Sequence, residues 1–152
     1  MAEKVFVDDH YLLPLPDGLG TIAASLTEPL SVADHCIHDC SEIESGDRVV
    51  VCGPGVIGIL CALMARQRGA EVVISGLDAD EPVRLAIARK IGFETLTVGG
   101  QHPSLPDQLE GQEVDVIVDA SGSSRVLDEA TGIVRPDHTL YLLPHHPHRL
   151  TT

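Results

Sequence analysis

This sequence has few aromatic residues and no long apolar run. Aromatic residues make up 3% of its 152 residues, and tryptophan is absent. The longest nearly uncharged stretch, residues 49–65, contains three glycines and a proline near its start: Gly53, Pro54, Gly55 and Gly58. They interrupt the stretch too early for a membrane-spanning helix. The N-terminus also lacks a basic region followed by an apolar run, which argues against a signal peptide. The sequence therefore predicts a cytoplasmic protein that does not bind membranes.

Positive charge is scarce as well: the sequence has ten Lys and Arg residues and 23 Asp and Glu residues, which gives a net charge of −13. Such a surface repels nucleic acids and anionic lipids at long range. It does not exclude a phosphorylated small molecule, which backbone amides can bind locally. The four cysteines do not suggest a disulfide framework in a cytosolic protein. Cys52 and Cys61 lie in apolar runs, where buried thiols behave as small hydrophobic groups.

The apolar residues alternate between strand and helix spacing along the chain. Strands are predicted at 48–52, 71–75, 94–98, 114–119 and 139–143. Helices are predicted at 22–40 with a break at Glu28-Pro29, at 56–67, at 81–91 with Asp80 as its N-cap, and at 124–134. Strands that alternate with helices at these lengths form parallel sheets through right-handed crossovers. The sequence thus predicts an α/β Rossmann-type, doubly wound parallel sheet of about five strands.

The most informative motif is GxGxxG at residues 53–58, between a predicted strand and an amphipathic helix. In this context Gly53 allows the tight turn, Gly55 lets a pyrophosphate approach the backbone, and Gly58 lets the helix pack close to the sheet. Amides at the helix start, around Val56 and Ile57, and the helix dipole would bind the negative phosphates. The motif predicts a dinucleotide-binding site.

The residue expected to contact the adenosine ribose departs from the NAD pattern. An acid about 20 residues after the glycines binds this ribose in NAD-dependent proteins. Gly76 occupies that position, and Asp78 and Asp80 follow it. A small residue leaves room for a 2′-phosphate, and Arg84 could supply its positive partner, which favours NADP over NAD. The alternative is that Asp78 takes the ribose, which would favour NAD.

Together these segments resemble the coenzyme domain of the zinc-dependent medium-chain dehydrogenases, especially the branch that includes sorbitol and threonine dehydrogenases. The resemblance extends over nearly the whole chain. It rests on LPDG at 15–18, EPLSVADH at 28–35, GDRVVVCGPGVIG at 46–58, RLAIARKIG at 84–92 and DVIVDASG at 115–122.

The resemblance implies hydride transfer between a secondary alcohol and a nicotinamide cofactor, assisted by zinc. By analogy, Glu28 matches a glutamate at the catalytic zinc; its alternative is an ordinary carboxylate at a helix end. Arg84 matches an arginine that contacts the adenosine end of the cofactor. Ser121 and Gly122, at the carboxyl end of the fourth strand, lie where the nicotinamide ribose would pass.

The resemblance also implies that this chain lacks parts of the family's active site. Residues 1–40 match the end of the catalytic domain, and residues 41–152 match the dinucleotide-binding domain. The other zinc ligands belong to a region that precedes this match, so we expect no zinc in this chain and no turnover by it alone. The chain's own metal-capable groups are interpreted as surface or core residues: His35, Cys36, His38, Cys40, and His145, His146 and His148 in a tail without a family counterpart.

Three functions remain open from the sequence. The first is the NAD(P)-binding part of a zinc-type alcohol or polyol dehydrogenase. The second is a non-catalytic nucleotide-binding or interaction module. The third is a zinc-independent reductase that assembles its active site with another chain. An exposed fifth strand would offer an edge for pairing or for a homodimer.

Overall fold

The computed structural model describes residues 4–130 and 132–142 and contains one parallel sheet. Its five strands follow the order β3-β2-β1-β4-β5. They are β1 Arg48–Cys52, β2 Glu71–Leu77, β3 Glu94–Val98, β4 Val114–Asp119 and β5 Val134–Leu142. β1 and β4 are rich in valine, whose branched side chain suits a pleated surface that is covered on both sides.

Short helices surround the sheet. They are α1 Thr21–Ala24, α2 Thr27–Asp34, α3 Val56–Gln67, α4 Ala86–Lys90, α5 Leu105–Gln108 and α6 Ser124–Ala130. A π-helical turn, His35–Asp39, continues α2, and another, Glu81–Leu85, leads into α4. Single 3₁₀ turns lie at Asp9–Tyr11 and Asp78–Asp80. In the part of the chain that is described, no helix has the length and apolar content needed to cross a membrane.

The two faces of the sheet pack against different helices. Val49 and Val51 belong to a buried cluster that includes residues of α2, α3 and α4. Val50, between them, belongs to a second cluster that includes residues of α5 and contacts Val126 of α6. Successive side chains of a strand point to opposite faces, so both faces of β1 are buried. This arrangement confirms the predicted doubly wound Rossmann-type sheet.

The strand order reverses next to β1, and this reversal positions the site. β1 pairs with β2 on one side and with β4 on the other, with Cys52 opposite both Ser75 and Asp119. The chain leaves β1 toward helices on one face and leaves β4 toward a helix on the other face. Open α/β sheets bind ligands in the crevice at such a switch point, outside the carboxyl ends of the strands.

Two predicted boundaries were wrong near the N-terminus and along β2. The helical break lies at residues 25–26, and Pro29 sits in the first turn of α2, where the helix needs no amide donor from it. β2 continues two residues beyond the predicted end, to Leu77. Asp80 occupies the predicted N-cap position of the helical turn 81–85, although its side chain makes no capping hydrogen bond there.

The last two elements also differ from the prediction. α6 ends at Ala130 instead of residue 134, and β5 begins at Val134 instead of residue 139. Ile133 and Val134 are nonetheless partly buried against the second cluster. The tail histidines lie outside the described residues.

A candidate dinucleotide-binding cleft at the carboxyl edge of the sheet

A cleft of about 280 Å³ opens where β1, β2 and β4 end. It brings together five of the residues singled out from the sequence: Gly53, Gly55, Gly76, Arg84 and Ser121. The other candidates, Val56, Ile57, Gly58, Gly122 and Glu28, are not among the lining residues.

Gly53 makes the turn out of β1 and touches the loop after β4. Its φ of +104° lies in the region that favours glycine. A Cβ here would lie 2.9 Å from the backbone N and Cα of Ser121. The amide of Gly53 donates to Ser75 O over 2.9 Å, which ties the turn to β2. A glycine is therefore required here by the fold.

Gly58 is required for the packing of α3 against this turn. A Cβ at Gly58 would lie 1.9 Å from the carbonyl oxygen of Gly53 and 3.4 Å from Cβ of Ala120. The close approach of helix and sheet predicted from the sequence is thus present. Because that space is filled, Gly58 supports the turn that lines the cleft and does not line the cleft itself.

Gly55 has no such structural reason to be glycine. Its φ of −71° is open to any residue, and a Cβ there would meet no atom within 4 Å. It is the N-cap of α3 and makes no side-chain capping bond. The first amides of a helix have no partner within the helix and carry its positive dipole end. The empty space beside Gly55 therefore lies where an anionic group can reach the helix N-terminus.

Val56 and Ile57 follow Gly55 in the first turn of α3. The side chain of Val56 is exposed, whereas Ile57 packs against the core cluster. Their side chains do not line the cleft, so any contact with a ligand would come from their backbone amides.

The loop after β4 is held in place by Asp119, whose role the sequence analysis missed. Asp119 is 1% exposed, and its Oδ1 accepts hydrogen bonds from the amide and the hydroxyl of Ser121, at 2.8 and 2.6 Å. Gly122 continues the loop with a φ of +68°. The position of Asp119 at the carboxyl end of a buried strand is the signal that could have identified it.

The structure corrects the argument drawn from Gly76. A Cβ at Gly76 would lie 2.8 Å from Cγ of Pro54 and 3.1 Å from Leu85. The space beside its Cα is filled by these side chains and is not open to a phosphate. The glycine at this position allows β2 to pack against the Gly53-Gly55 turn, so the absence of an acid there is not by itself evidence for NADP.

Arg84 lies at the rim of the cleft in an ion pair. Its Nη1 is 3.0 Å from Oδ1 of Asp80, and the Asp80 side chain is 14% exposed while that of Arg84 is 61% exposed. The other oxygen of Asp80 accepts the amide of Leu77 at 3.0 Å. Both charged residues line the cleft. A phosphate that approached Arg84 would therefore also meet the carboxylate of Asp80.

A similar pair lines the cleft from α6 and was also missed. Nε of Arg125 lies 2.7 Å from Oε1 of Glu129, and both residues line the cleft. The other oxygen of Glu129 accepts the amide of Leu105 at 3.4 Å. The i,i+4 spacing of Arg125 and Glu129 predicts the pair on a helix, but not that it faces a cleft.

Cys52 is the one thiol among the lining residues. Burial raises its pKa to about 12, and Asp119 and Glu129 add to this effect through their negative charge. Its thiol is therefore protonated at neutral pH, and thiolate chemistry is not available at this position.

Glu28 and the metal-capable side chains lie apart from the cleft lining. Glu28 is exposed in the first turn of α2. His35 and His38 pair with Asp39 and Asp34 of their own helical segment, at 2.8 and 2.7 Å. Among residues 4–130 and 132–142, no three His, Cys, Asp or Glu side chains are placed to hold a metal ion.

Similar proteins are known, although no family model matches the chain. It is 33% identical over 138 residues to a sorbitol dehydrogenase from Halalkalibacterium halodurans, and 30% identical over 138 residues to a D-arabitol-phosphate dehydrogenase from Enterococcus avium. The first match covers 88% of this chain, the second 89%, and each covers 39% of the relative. The chain therefore spans about two fifths of the length of these relatives.

A solved structure agrees with this similarity. The chain is 26% identical to the 2R,3R-butanediol dehydrogenase from Bacillus subtilis and superposes on it with a TM-score of 0.75. The match covers 90% of this chain and 39% of that protein.

Proposed function

This chain belongs to the zinc-type medium-chain alcohol and polyol dehydrogenases, and from that membership we propose that its cleft binds the nicotinamide dinucleotide of such an enzyme. In this proposal, residues 41–152 are the dinucleotide-binding domain and residues 1–40 are the end of a catalytic domain. The whole enzyme would transfer a hydride between a secondary alcohol and the cofactor. We propose that this chain alone does not catalyse the reaction and that it functions in the cytoplasm.

The observation that supports cofactor binding is the empty space at Gly55. Gly53 and Gly58 are glycines because the fold leaves no room for a Cβ, whereas a Cβ built at Gly55 meets no atom within 4 Å. The open space at Gly55 lies in the cleft lining at the start of α3, so a group in the cleft can approach its backbone there. Here that group would be the diphosphate, bound by the amides of Val56, Ile57 and Gly58 and by the dipole of α3.

The remaining site residues would position the two ends of the cofactor. Asp119 orients Ser121 through two hydrogen bonds. Ser121 and Gly122 would lie next to the nicotinamide ribose. When bound, the nicotinamide supplies the carbon that accepts or donates the hydride. We propose that Glu28 faces a catalytic zinc whose other ligands come from outside the described residues.

We further propose a small preference for NADP over NAD. Arg84 is the cation that would bind the 2′-phosphate, and its guanidinium lies 61% exposed at the cleft rim. The preference is small because the same guanidinium is already paired with Asp80. An unpaired arginine in this place would give a larger one.

The second partner proposed is another chain at the sheet edge. β5 is the last strand in the sheet order, so one of its backbone edges has no neighbouring strand among the described residues. Such an edge can pair with the matching edge of a second copy and form a continuous sheet. We propose a homodimer formed in this way.

Calorimetric titration of NAD and NADP tests the cofactor proposal. We expect the wild-type chain to bind both, and Gly55→Ala to weaken both by tenfold or more without lowering the midpoint of unfolding, because the new methyl group enters open space in the cleft. Gly20→Ala is the matched control. Gly20 also precedes a helix, and its backbone is extended, with φ −67° and ψ 147°. A Cβ built at Gly20 meets no atom within 4 Å.

Equal affinities for wild type, Gly55→Ala and Gly20→Ala would contradict the proposed site. A wild-type chain that binds neither cofactor at millimolar concentration would contradict cofactor binding altogether. Tight binding of NAD or NADP by a protein that contains no metal and oxidises no alcohol would favour the alternative, a non-catalytic nucleotide-binding module.

A further inference from the structure

We propose that Asp80 sets the choice between NAD and NADP, by accepting the adenosine ribose hydroxyls of NAD and by restraining Arg84 from the 2′-phosphate of NADP. The inference rests on the proposed binding of a nicotinamide dinucleotide in this cleft. Asp80 lies four positions after residue 76, where the ribose acid is expected.

The usual position for the ribose acid cannot be used in this chain. Gly76 is covered by Pro54 and Leu85, at 2.8 and 3.1 Å from a built Cβ. An acidic side chain at residue 76 would have to displace the ring of Pro54, which is part of the turn that carries Gly53 and Gly55. The ribose contact must therefore come from another element.

Asp80 is placed to take over this contact. The strand β2 continues to Leu77, and the 3₁₀ turn Asp78–Asp80 then brings the Asp80 carboxylate back to the cleft. The amide of Leu77 fixes one oxygen at 3.0 Å, and Arg84 contacts the other at 3.0 Å. A carboxylate has about four acceptor sites on its two oxygens, so these two bonds leave capacity for a ribose hydroxyl.

Asp78 is the other acid near this end of the cleft, and its Oδ1 lies 2.6 Å from Nε2 of His102. Asp78 is not among the residues that line the cleft, whereas Asp80 is. The geometry thus favours Asp80 over Asp78 as the ribose acceptor.

The same carboxylate affects the two cofactors in opposite directions. The 2′-hydroxyl of NAD can donate a hydrogen bond to Asp80. The 2′-phosphate of NADP carries negative charge, so it is repelled by Asp80 and must compete with it for Arg84. Asp80 therefore opposes the effect of Arg84, and removing the charge of Asp80 should shift the preference toward NADP.

The test is the ratio of the NAD and NADP dissociation constants for three variants. Asp80→Asn keeps an oxygen that can accept the amide of Leu77, but it loses the negative charge and the ion pair with Arg84. We expect it to shift the ratio at least tenfold toward NADP. Arg84→Gln should shift the ratio at least fivefold toward NAD. Arg66→Gln is the matched control, because Arg66 also lies on a helix but donates to the carbonyl oxygen of Ile91, outside the cleft lining, and should leave the ratio within twofold of wild type.

The outcomes separate this inference from the function on which it rests. A wild-type chain that binds both cofactors, with Asp80→Asn changing the two affinities by the same factor, would overturn the role of Asp80 and leave cofactor binding intact. A wild-type chain that binds neither cofactor would overturn both. Circular dichroism checks that Asp80→Asn is folded. If it is not, Arg84→Gln decides, because an unchanged ratio in that variant also contradicts the inference.

Discussion

Gly58 and Gly55 are three residues apart, yet the reasons for glycine differ at the two positions. The packing of α3 against the Gly53 turn leaves no space for a side chain at Gly58, whereas the space at Gly55 is open. A substitution at Gly58 is therefore a test of the fold, and a substitution at Gly55 is a test of the ligand. The two effects can be measured separately.

We predict that Gly58→Ala lowers the free energy of unfolding by about 3 kcal/mol, at the upper end of what overpacking costs. The reason is the contact of 1.9 Å between the new Cβ and the carbonyl oxygen of Gly53, a backbone atom that cannot rotate away. Urea unfolding followed by circular dichroism measures the change. A variant as stable as the wild type would show that the helix and the turn are not packed as described.

At the scale of single elements, three groups join the helical turn 81–85 to α4 and β3. The carboxylate of Glu81 accepts bonds from Arg89 of α4, at 2.5 Å from Nη2, and from the hydroxyl of Thr97 in β3. These bonds lower the pKa of Glu81 to about 2, with Arg89 as the largest cause. The network keeps the segment that carries Arg84 close to the sheet.

The low pKa of Glu81 predicts a loss of stability in acid. Because the folded protein favours the charged form, this stabilisation is complete above the ordinary pKa of about 4.5 and disappears as the pH falls from there toward 2. Glu81→Gln should therefore flatten the dependence of the unfolding midpoint on pH in this range. High salt should weaken the effect, because Glu81 and Arg89 are 38% and 45% exposed. An identical pH dependence in wild type and variant would contradict the account.

The central elements of the fold could be predicted from the sequence for a physical reason. β1, β3 and β4 are short, continuous and β-branched, and α3 is bounded by a glycine turn and by Gly69 with a φ of +92°. Local signals decide such boundaries. β5 could not be delimited in this way, because Arg135-Pro136-Asp137-His138 reads as a loop although the structure includes these residues in the strand beside β4. The register shifts there, between the pairs Val114–Val134 and Val116–Thr139, so the loop-like residues form an irregularity within the strand.

The candidate site was predictable in part. The glycine motif indicated the turn and the packing of α3, because Gly53 and Gly58 have local geometric roles, and the diphosphate position at Gly55 stays a prediction. The contact between Pro54 and Gly76 joins residues distant in the chain, so sequence spacing suggested open space where the structure is filled. The cleft-facing roles of Asp80 and Arg125 depend on how the elements assemble and were not evident from spacing.

At the scale of the whole molecule, most exposed large apolar side chains lie before the sheet begins. Phe6, Leu13 and Ile22 are 106%, 87% and 88% exposed, and further apolar residues between Val5 and Val32 are also exposed. By contrast, the carboxyl edge of the sheet carries a cleft with glycines and paired charges. The chain also spans 39% of the length of its relatives. The cleft is thus the described surface that suits the proposed binding of a cofactor.

The most direct test of this account is amide NMR of the chain during titration with NAD or NADP. We predict saturable chemical-shift changes that are largest at the amides of Gly53, Gly55, Val56, Ile57 and Gly58, with a second group at Ser121. They should be larger than the changes in the N-terminal segment before residue 40. Binding that leaves the 53–58 amides unmoved, or no binding of either cofactor at millimolar concentration, would contradict it.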